Sequence, residues 1–111
     1  MHEMALAEAI VQLVDEAAQG CARVRAVYLE IGCLAAVEKD ALRFCFESVA
    51  QHSAAQGARL EIVDVDGCGR CSECGGEVPI AALYDPCPLC GSYRVEVVSG
   101  DEMRVKELEV E

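Results

Sequence analysis

The chain has 111 residues, 53% hydrophobic and 26% charged, with 20 acidic against 9 basic residues and a formal net charge of −11. That leaves room for one domain of ordinary size with a small insert, and none for a multi-domain enzyme. The acidic excess speaks against nucleic acid as a partner, because phosphate binding needs Lys and Arg placed to displace counterions. No apolar run approaches the ~20 residues that cross a bilayer. The first apolar stretch carries Glu8 and Asp15 instead of a basic-then-apolar signal pattern, so the expectation is a cytoplasmic protein without membrane contact. In a reducing cytosol its eight cysteines are better tested as metal ligands than as disulfides.

Residues 3–19 place Leu6, Ile10, Leu13, Val14 and Ala17 on one stripe at helical spacing, with Glu8, Gln12, Asp15 and Glu16 mostly off it. This reads as an amphipathic helix stopped by Gly20. Arg23 to Ile31 reads as a strand, with Val27, Leu29 and Ile31 alternating with Tyr28 and Glu30 before Gly32. A second helix is expected from Lys39 to Ala55, burying Leu42, Cys45, Phe46 and Val49 and ending at Gly57. Leu60 to Val65 reads as a second strand. The isolated Cys45 and Cys21 read as small buried hydrophobes, and His52 as an exposed residue late in the second helix.

At Gly67 the composition changes. Residues 67–91 hold five of the eight cysteines, five of the nine glycines and all three prolines. Such a stretch buries little apolar surface and needs a metal or other crosslink to keep a shape. Tyr93 to Val98 is strand-like, Ser99-Gly100-Asp101 a turn, and Met103, Val105, Leu108 and Val110 mark a last strand able to return to the first sheet. The expected architecture is therefore α+β: an α/β-type domain of residues 1–66 plus 100–111, with two helices on a small mixed sheet, and a ribbon insert over 67–99.

Cys71-Ser72-Glu73-Cys74-Gly75 and Cys87-Pro88-Leu89-Cys90-Gly91 are two C-x-x-C knuckles, each followed by glycine and separated by twelve residues. Two residues between thiolates let one tight turn aim both sulfurs at one ion, and the glycine permits the close backbone that follows. Four thiolates with no open position describe a structural site, suited to zinc and less readily to a rubredoxin-like iron. Cys68 forms an overlapping C-x-x-C with Cys71, but the glycines after Cys74 match Gly91 and favour Cys71, Cys74, Cys87 and Cys90 as the ligands. At the amino terminus, a histidine in second position offers a metal its imidazole, its deprotonated backbone amide and the Met1 amine. Those nitrogens suit tetragonal Ni(II) or Cu(II), with a carboxylate such as Glu3 able to complete the set.

Met1-His2-Glu3 opening an amphipathic helix, the strand ending Ile31-Gly32, the two knuckles and the terminal Gly100-Asp101-Glu102-Met103-Arg104-Val105 together resemble the HypA/HybF family of hydrogenase maturation proteins over essentially the whole chain. The resemblance implies a metallochaperone that holds Ni(II) and helps insert it into the large subunit of [NiFe] hydrogenase with the GTPase HypB. It implies an α/β nickel-binding domain and a separate zinc ribbon, as a monomer or a homodimer. His2 matches the family's nickel-ligand histidine, Glu3 its acidic neighbour, and Cys71, Cys74, Cys87 and Cys90 its structural zinc thiolates. Some members use an acidic residue near the start of the second helix, where this chain has Glu38 and, two residues later, Asp40. The chain carries no Ser/His/Asp set, no paired carboxylates in a cleft and no phosphate loop, so no enzyme activity is expected and GTP hydrolysis falls to a partner. The competing reading is a zinc-ribbon protein-interaction adaptor without nickel transfer.

Overall fold

A computed structural model describes residues 2–19 and 23–111. The Met1 amine, the helix stop at Gly20 and the burial of Cys21 lie outside the described residues. The elements follow in the order α1 (Glu3–Ala17), β1 (Val24–Gly32), α2 (Lys39–Val49), β2 (Arg59–Val65), β3 (Gly67–Cys71), β4 (Glu77–Ile80), β5 (Val95–Ser99) and β6 (Met103–Val110). They make the α+β fold expected from the sequence. One three-stranded sheet has the order β2-β1-β6 and the other β4-β3-β5.

In the first sheet the last strand returns beside the first. Glu111 N–H donates to Arg23 O at one end of the β1/β6 pair and Gly32 N–H to Glu102 O at the other, which makes the pair antiparallel. Cys33 N–H donates to Val65 O just past the ends of β1 and β2, so these two run the same way and the sheet is mixed. As the central strand, β1 is nearly continuously buried, with Val24, Ala26, Val27, Leu29 and Ile31 all at or below 2% exposure.

The chain divides into two compact units. The first comprises Met1–Leu29, Val37–Val63 and Val105–Glu111, and the second Glu30–Ala36 and Asp64–Arg104. In the first unit α1 and α2 pack on one another. The buried face of α1 is Ala7, Ile10, Val11 and Val14, continued by Ala18. This corrects the stripe read from the sequence: Leu13 is 54% exposed and Ala17 is exposed. Alanines occupy the buried side, where their small side chains allow another element to come close, and leave Leu13 outside. Helix α2 buries Leu42 and Phe46, while Cys45 is half-buried and not a core residue.

Helix α2 also stops at Val49, six residues short of the expected end at Ala55. Ala50 N–H still bonds Phe46 O, but Ser53 Oγ then donates to Ala50 O and accepts from Ala55 N–H. A serine that offers the backbone such local partners competes with the helix ladder. His52 lies beyond the helix, in the left-handed region at φ +67, with its N–H on Gln56 Oε1.

In the second unit β3 pairs antiparallel with β4 (Gly67 opposite Ile80, Arg70 opposite Glu77) and with β5, where a bulge falls between Cys68 and Gly69. The cysteine-rich stretch thus contains two short strands that its composition concealed. Leu34, Cys71, Val78, Ile80 and Cys87 form its buried cluster, with Val95 and Val97 at the margin.

Three glycines let backbones cross in this unit. A Cβ on Gly32 would lie 2.0 Å from Gly100 O, and one on Gly100, itself at φ +91, would lie 2.5 Å from Gly67 Cα. Neither neighbour is a side chain that can swing away. Gly32→Ala is therefore expected to destabilise the protein by about 1–3 kcal/mol through overpacking. Thermal unfolding should show a midpoint lower by roughly 5 °C or more, and an unchanged midpoint would contradict the crossing.

Candidate metal centre

The two knuckles are built alike. In each, the first cysteine's N–H reaches the carbonyl five residues on: Cys71 to Gly76 O at 3.0 Å, and Cys87 to Ser92 O at 2.7 Å. In each, the glycine after the second cysteine returns its N–H to the first cysteine's carbonyl: Gly75 to Cys71 O at 2.8 Å, and Gly91 to Cys87 O at 2.7 Å. Gly75 and Gly91 sit at φ +75 and +78 with open space where a Cβ would go, so only the left-handed backbone demands glycine there. Ser72 N–H and Oγ both donate to Arg94 O, and the Arg94 guanidinium pairs with Glu73 at 3.4 Å across exposed surface. That pair adds little stability by itself.

These turns bring Cys71, Cys74, Cys87 and Cys90 together with all four sulfurs within 4.8 Å of one another. The Cys71–Cys90 separation is 3.6 Å and the Cys74–Cys87 separation 3.8 Å. A tetrahedron with metal–sulfur bonds of about 2.3 Å has sulfur–sulfur edges of about 3.8 Å, so the donor set lies close to the spacing of a four-thiolate ion. Cys71 and Cys87 are buried, and Cys74 and Cys90 exposed. Cys68 is not in the group, and its sulfur lies 4.0 Å from Gly69 O.

The electrostatics also call for a cation. The Cys71 thiol is lowered to about 7, chiefly because the Cys74 backbone N–H donates to its sulfur, with the Glu73 N–H helping and burial opposing. Cys90 goes the other way. The Ser92 N–H favours its thiolate, but the Cys71 sulfur, burial, and the Cys87 and Cys74 sulfurs outweigh it and push the thiol up to about 12. Four crowded sulfurs cannot all ionise unaided, and a divalent ion that binds here must release protons as it does so.

The amino-terminal candidates occupy the other compact unit. His2 is the exposed N-cap of α1, with extended backbone at φ −83 and ψ 101, and its carbonyl accepts Leu6 N–H at 3.1 Å. Glu3 is the acidic residue of the first turn, and its Oε2 accepts the backbone N–H of Glu38 at 3.5 Å. Glu38 in turn caps α2, its carboxylate accepting Asp40 N–H at 3.3 Å and Ala41 N–H at 2.6 Å. The N-terminal ends of the two helices are thus neighbours, joined by Glu3 and Glu38. Among the described residues the four cysteines are the only set of three or more His, Cys, Asp or Glu gathered tightly enough for an ion, so His2, Glu3 and Glu38 do not form a closed cage.

Set against known proteins, residues 1–110 match the family described as hydrogenase/urease nickel incorporation, metallochaperone, hypA. The chain belongs to the HypA family. It is 61% identical over 113 residues to the hydrogenase maturation factor HypA of Azotobacter chroococcum mcd 1 and 58% identical to that of Azotobacter vinelandii, each comparison covering the whole of both chains. The solution structure of the nickel metallochaperone HypA from Helicobacter pylori superposes with a TM-score of 0.74 at 29% identity, covering 99% of this chain and 97% of that one. A second solution structure of a HypA protein gives 0.71 at 29% identity, covering 100% and 97%. Membership in the HypA family makes the chain a metallochaperone and maturation factor of hydrogenase/urease nickel incorporation, not an enzyme. Among the described residues no helix is long and apolar enough to cross a membrane.

Sequence reasoning missed one contributor to the metal-bearing unit. Leu34 lies between β1 and α2, over thirty residues before the first knuckle, yet it is buried in the same cluster as Cys71 and Cys87. The available signal was weak: an apolar Leu34-Ala35 directly after a strand and its closing glycine.

Proposed function

We propose that this chain carries Ni(II) on its amino terminus and helps place it in the large subunit of [NiFe] hydrogenase during maturation, working with a HypB-type GTPase in the cytoplasm. The ligands are the Met1 amine, the His2 amide and imidazole and Glu3, with Glu38 as a further candidate. The observation that carries the reading is the exposed His2 at the head of α1, followed by Glu3, whose carboxylate accepts the Glu38 backbone N–H where the two helices start. Such a site is terminal, nitrogen-rich and open. One ligand can detach while an acceptor's ligand attaches, which a carrier needs and a closed cage prevents. Capping α2 uses one lone pair on each Glu38 oxygen, so ligation through another remains compatible with the cap.

The four-cysteine centre has the opposite character. We assign it structural Zn(II), since a closed set of four thiolates with no open position holds shape and keeps its ion. Nickel handling then belongs to residues 1–66 with 100–111, and the ribbon to 67–99. For the GTPase contact we choose the outer face of α1 beside His2. Leu13 and Met4 are exposed on this helix, which carries Glu3, Glu8, Asp15 and Glu16 and no basic residue.

Each nitrogen donor of the proposed set must be free of its proton to ligate, so protons compete with nickel for the site. Nickel isotherms on zinc-loaded protein with a native, untagged Met1 should show weaker binding in mildly acidic than in mildly basic buffer. Equal affinity in the two would remove His2 from the site. Absence of specific nickel binding at either pH would leave a zinc-ribbon interaction adaptor as the better description.

A further inference from the structure

We propose that Arg23, Arg25 and Arg59 form an oxyanion site, a recess at one end of the first sheet that takes a small phosphate-bearing molecule. The inference stands apart from both the nickel and the zinc readings.

The topology gathers the three side chains. Strands β1 and β2 are neighbours that run the same way, so the start of each lies at the same end of the sheet. Arg23 and Arg25 are exposed on either side of Val24, which is 1% exposed, and strand alternation therefore turns both away from the buried side. Arg59 opens β2 beside them. The turn that leads into β2 is tied to β1 by Val24 N–H on Ala54 O at 2.9 Å. It brings Gln56 and Gly57, the latter at φ +77, to the rim. These residues line a recess of about 400 Å³, all of it within the first compact unit.

The charge here runs against the rest of the chain. With 20 acidic residues for 9 basic ones, cations elsewhere find carboxylates readily: Arg70 sits on Glu77 at 3.0 Å, Arg94 on Glu73 at 3.4 Å and Arg104 on Glu30 at 2.6 Å. Among the described residues Arg23 and Arg25 take part in no ion pair. Of the three, Arg59 is the one engaged, with Glu61 at 3.3 Å and Glu109 at 3.8 Å. Glu111 is the acidic residue on the wall of the recess; its N–H is held by Arg23 O, and it forms no ion pair with the arginines.

Like charges gathered in one place repel, and an anion in their midst relieves them. A guanidinium is always charged and presents its N–H groups as a fork that fits a carboxyl or phosphoryl group through two hydrogen bonds. One carboxylate is satisfied by one such fork. A phosphoryl group has three terminal oxygens and up to two charges, so it can engage two or three forks at once, and the recess leaves room for a second phosphate or the rest of a small ester. The net charge of −11 repels long polyanions, which limits the ligand to a small one.

The test titrates inorganic pyrophosphate into the zinc-loaded, nickel-free full-length chain by calorimetry at low salt. One saturable site per chain is expected. Arg23→Gln and Arg25→Gln should each weaken it at least about tenfold, the scale of a lost charge-assisted pair of hydrogen bonds. Glu61→Gln should tighten it about twofold or more, because it removes a carboxylate that competes for Arg59. Arg94→Gln, on the exposed surface of the ribbon, should leave the affinity within about twofold, which separates the recess from a general attraction to cations. All four substituted side chains are exposed, so the variants should melt within about 3 °C of wild type. Absence of a saturable site, pyrophosphate binding by Arg25→Gln at wild-type strength, or succinate binding as tight as pyrophosphate would overturn the proposal.

Discussion

His2→Ala should take up no specific Ni(II) under conditions in which the wild-type chain binds roughly one per molecule, while the four cysteines keep their own ion. The imidazole is the anchoring donor of the proposed set, and the terminal amine and first amides bind weakly without it. An affinity drop larger than about a hundredfold, or about 2.7 kcal/mol, is expected in a nickel isotherm. Folding should be nearly unaffected. His2 is exposed, and among the described residues its side chain makes no cap hydrogen bond while its backbone carbonyl accepts from Leu6 N–H. Wild-type nickel binding by the variant would place the cargo elsewhere in the chain.

Cys71→Ser should have the largest effect on structure, and Cys68→Ser almost none. Cys71 is fully buried, supplies one of the four gathered sulfurs and ends β3, whereas Cys68 stands outside the group three residues earlier. Binding of a structural zinc is worth about 10–16 kcal/mol to comparable small modules. A ribbon core of three aliphatic side chains cannot replace that contribution, so losing one inner thiolate should unfold much of Asp64–Arg104. Hydrogen exchange over that span and metal content by mass spectrometry report the two consequences together. Retained metal in Cys71→Ser with loss in Cys68→Ser would assign the knuckle wrongly. Strong chelators should reproduce the Cys71→Ser phenotype in the wild-type protein and spare the α1 and α2 helices.

Much of this was readable from the residues because the relevant signals are local. A C-x-x-C-G turn carries its geometry in five consecutive residues, and the return of β6 beside β1 was written in an alternating apolar tail after Gly100. The errors came where burial is decided by distant partners. In α1 the larger leucines suggested one face, but the packed face holds Ala7 and Ala18, and close approach of a neighbour is invisible to periodicity. In α2 the apolar spacing ran on past Val49, and a hydroxyl-to-backbone contact at Ser53 ended the helix without a glycine or proline to mark it. Leu34 and the short β3 and β4 strands depend on pairings across the cysteine-rich stretch, such as Gly67 against Ile80, which no local pattern announces. The tie between Glu3 and Glu38 joins residues 35 apart and belongs to the same class.

On the proposed function, cargo and structural metal occupy different donor sets: nitrogen and oxygen at the amino terminus, sulfur in the ribbon. Nickel K-edge X-ray absorption on zinc-loaded protein with its native Met1, given one equivalent of Ni(II), tests that division directly. The expected result is a first shell of nitrogen and oxygen scatterers with no sulfur. Sulfur at about 2.3 Å from nickel would put the cargo among the cysteines and contradict it.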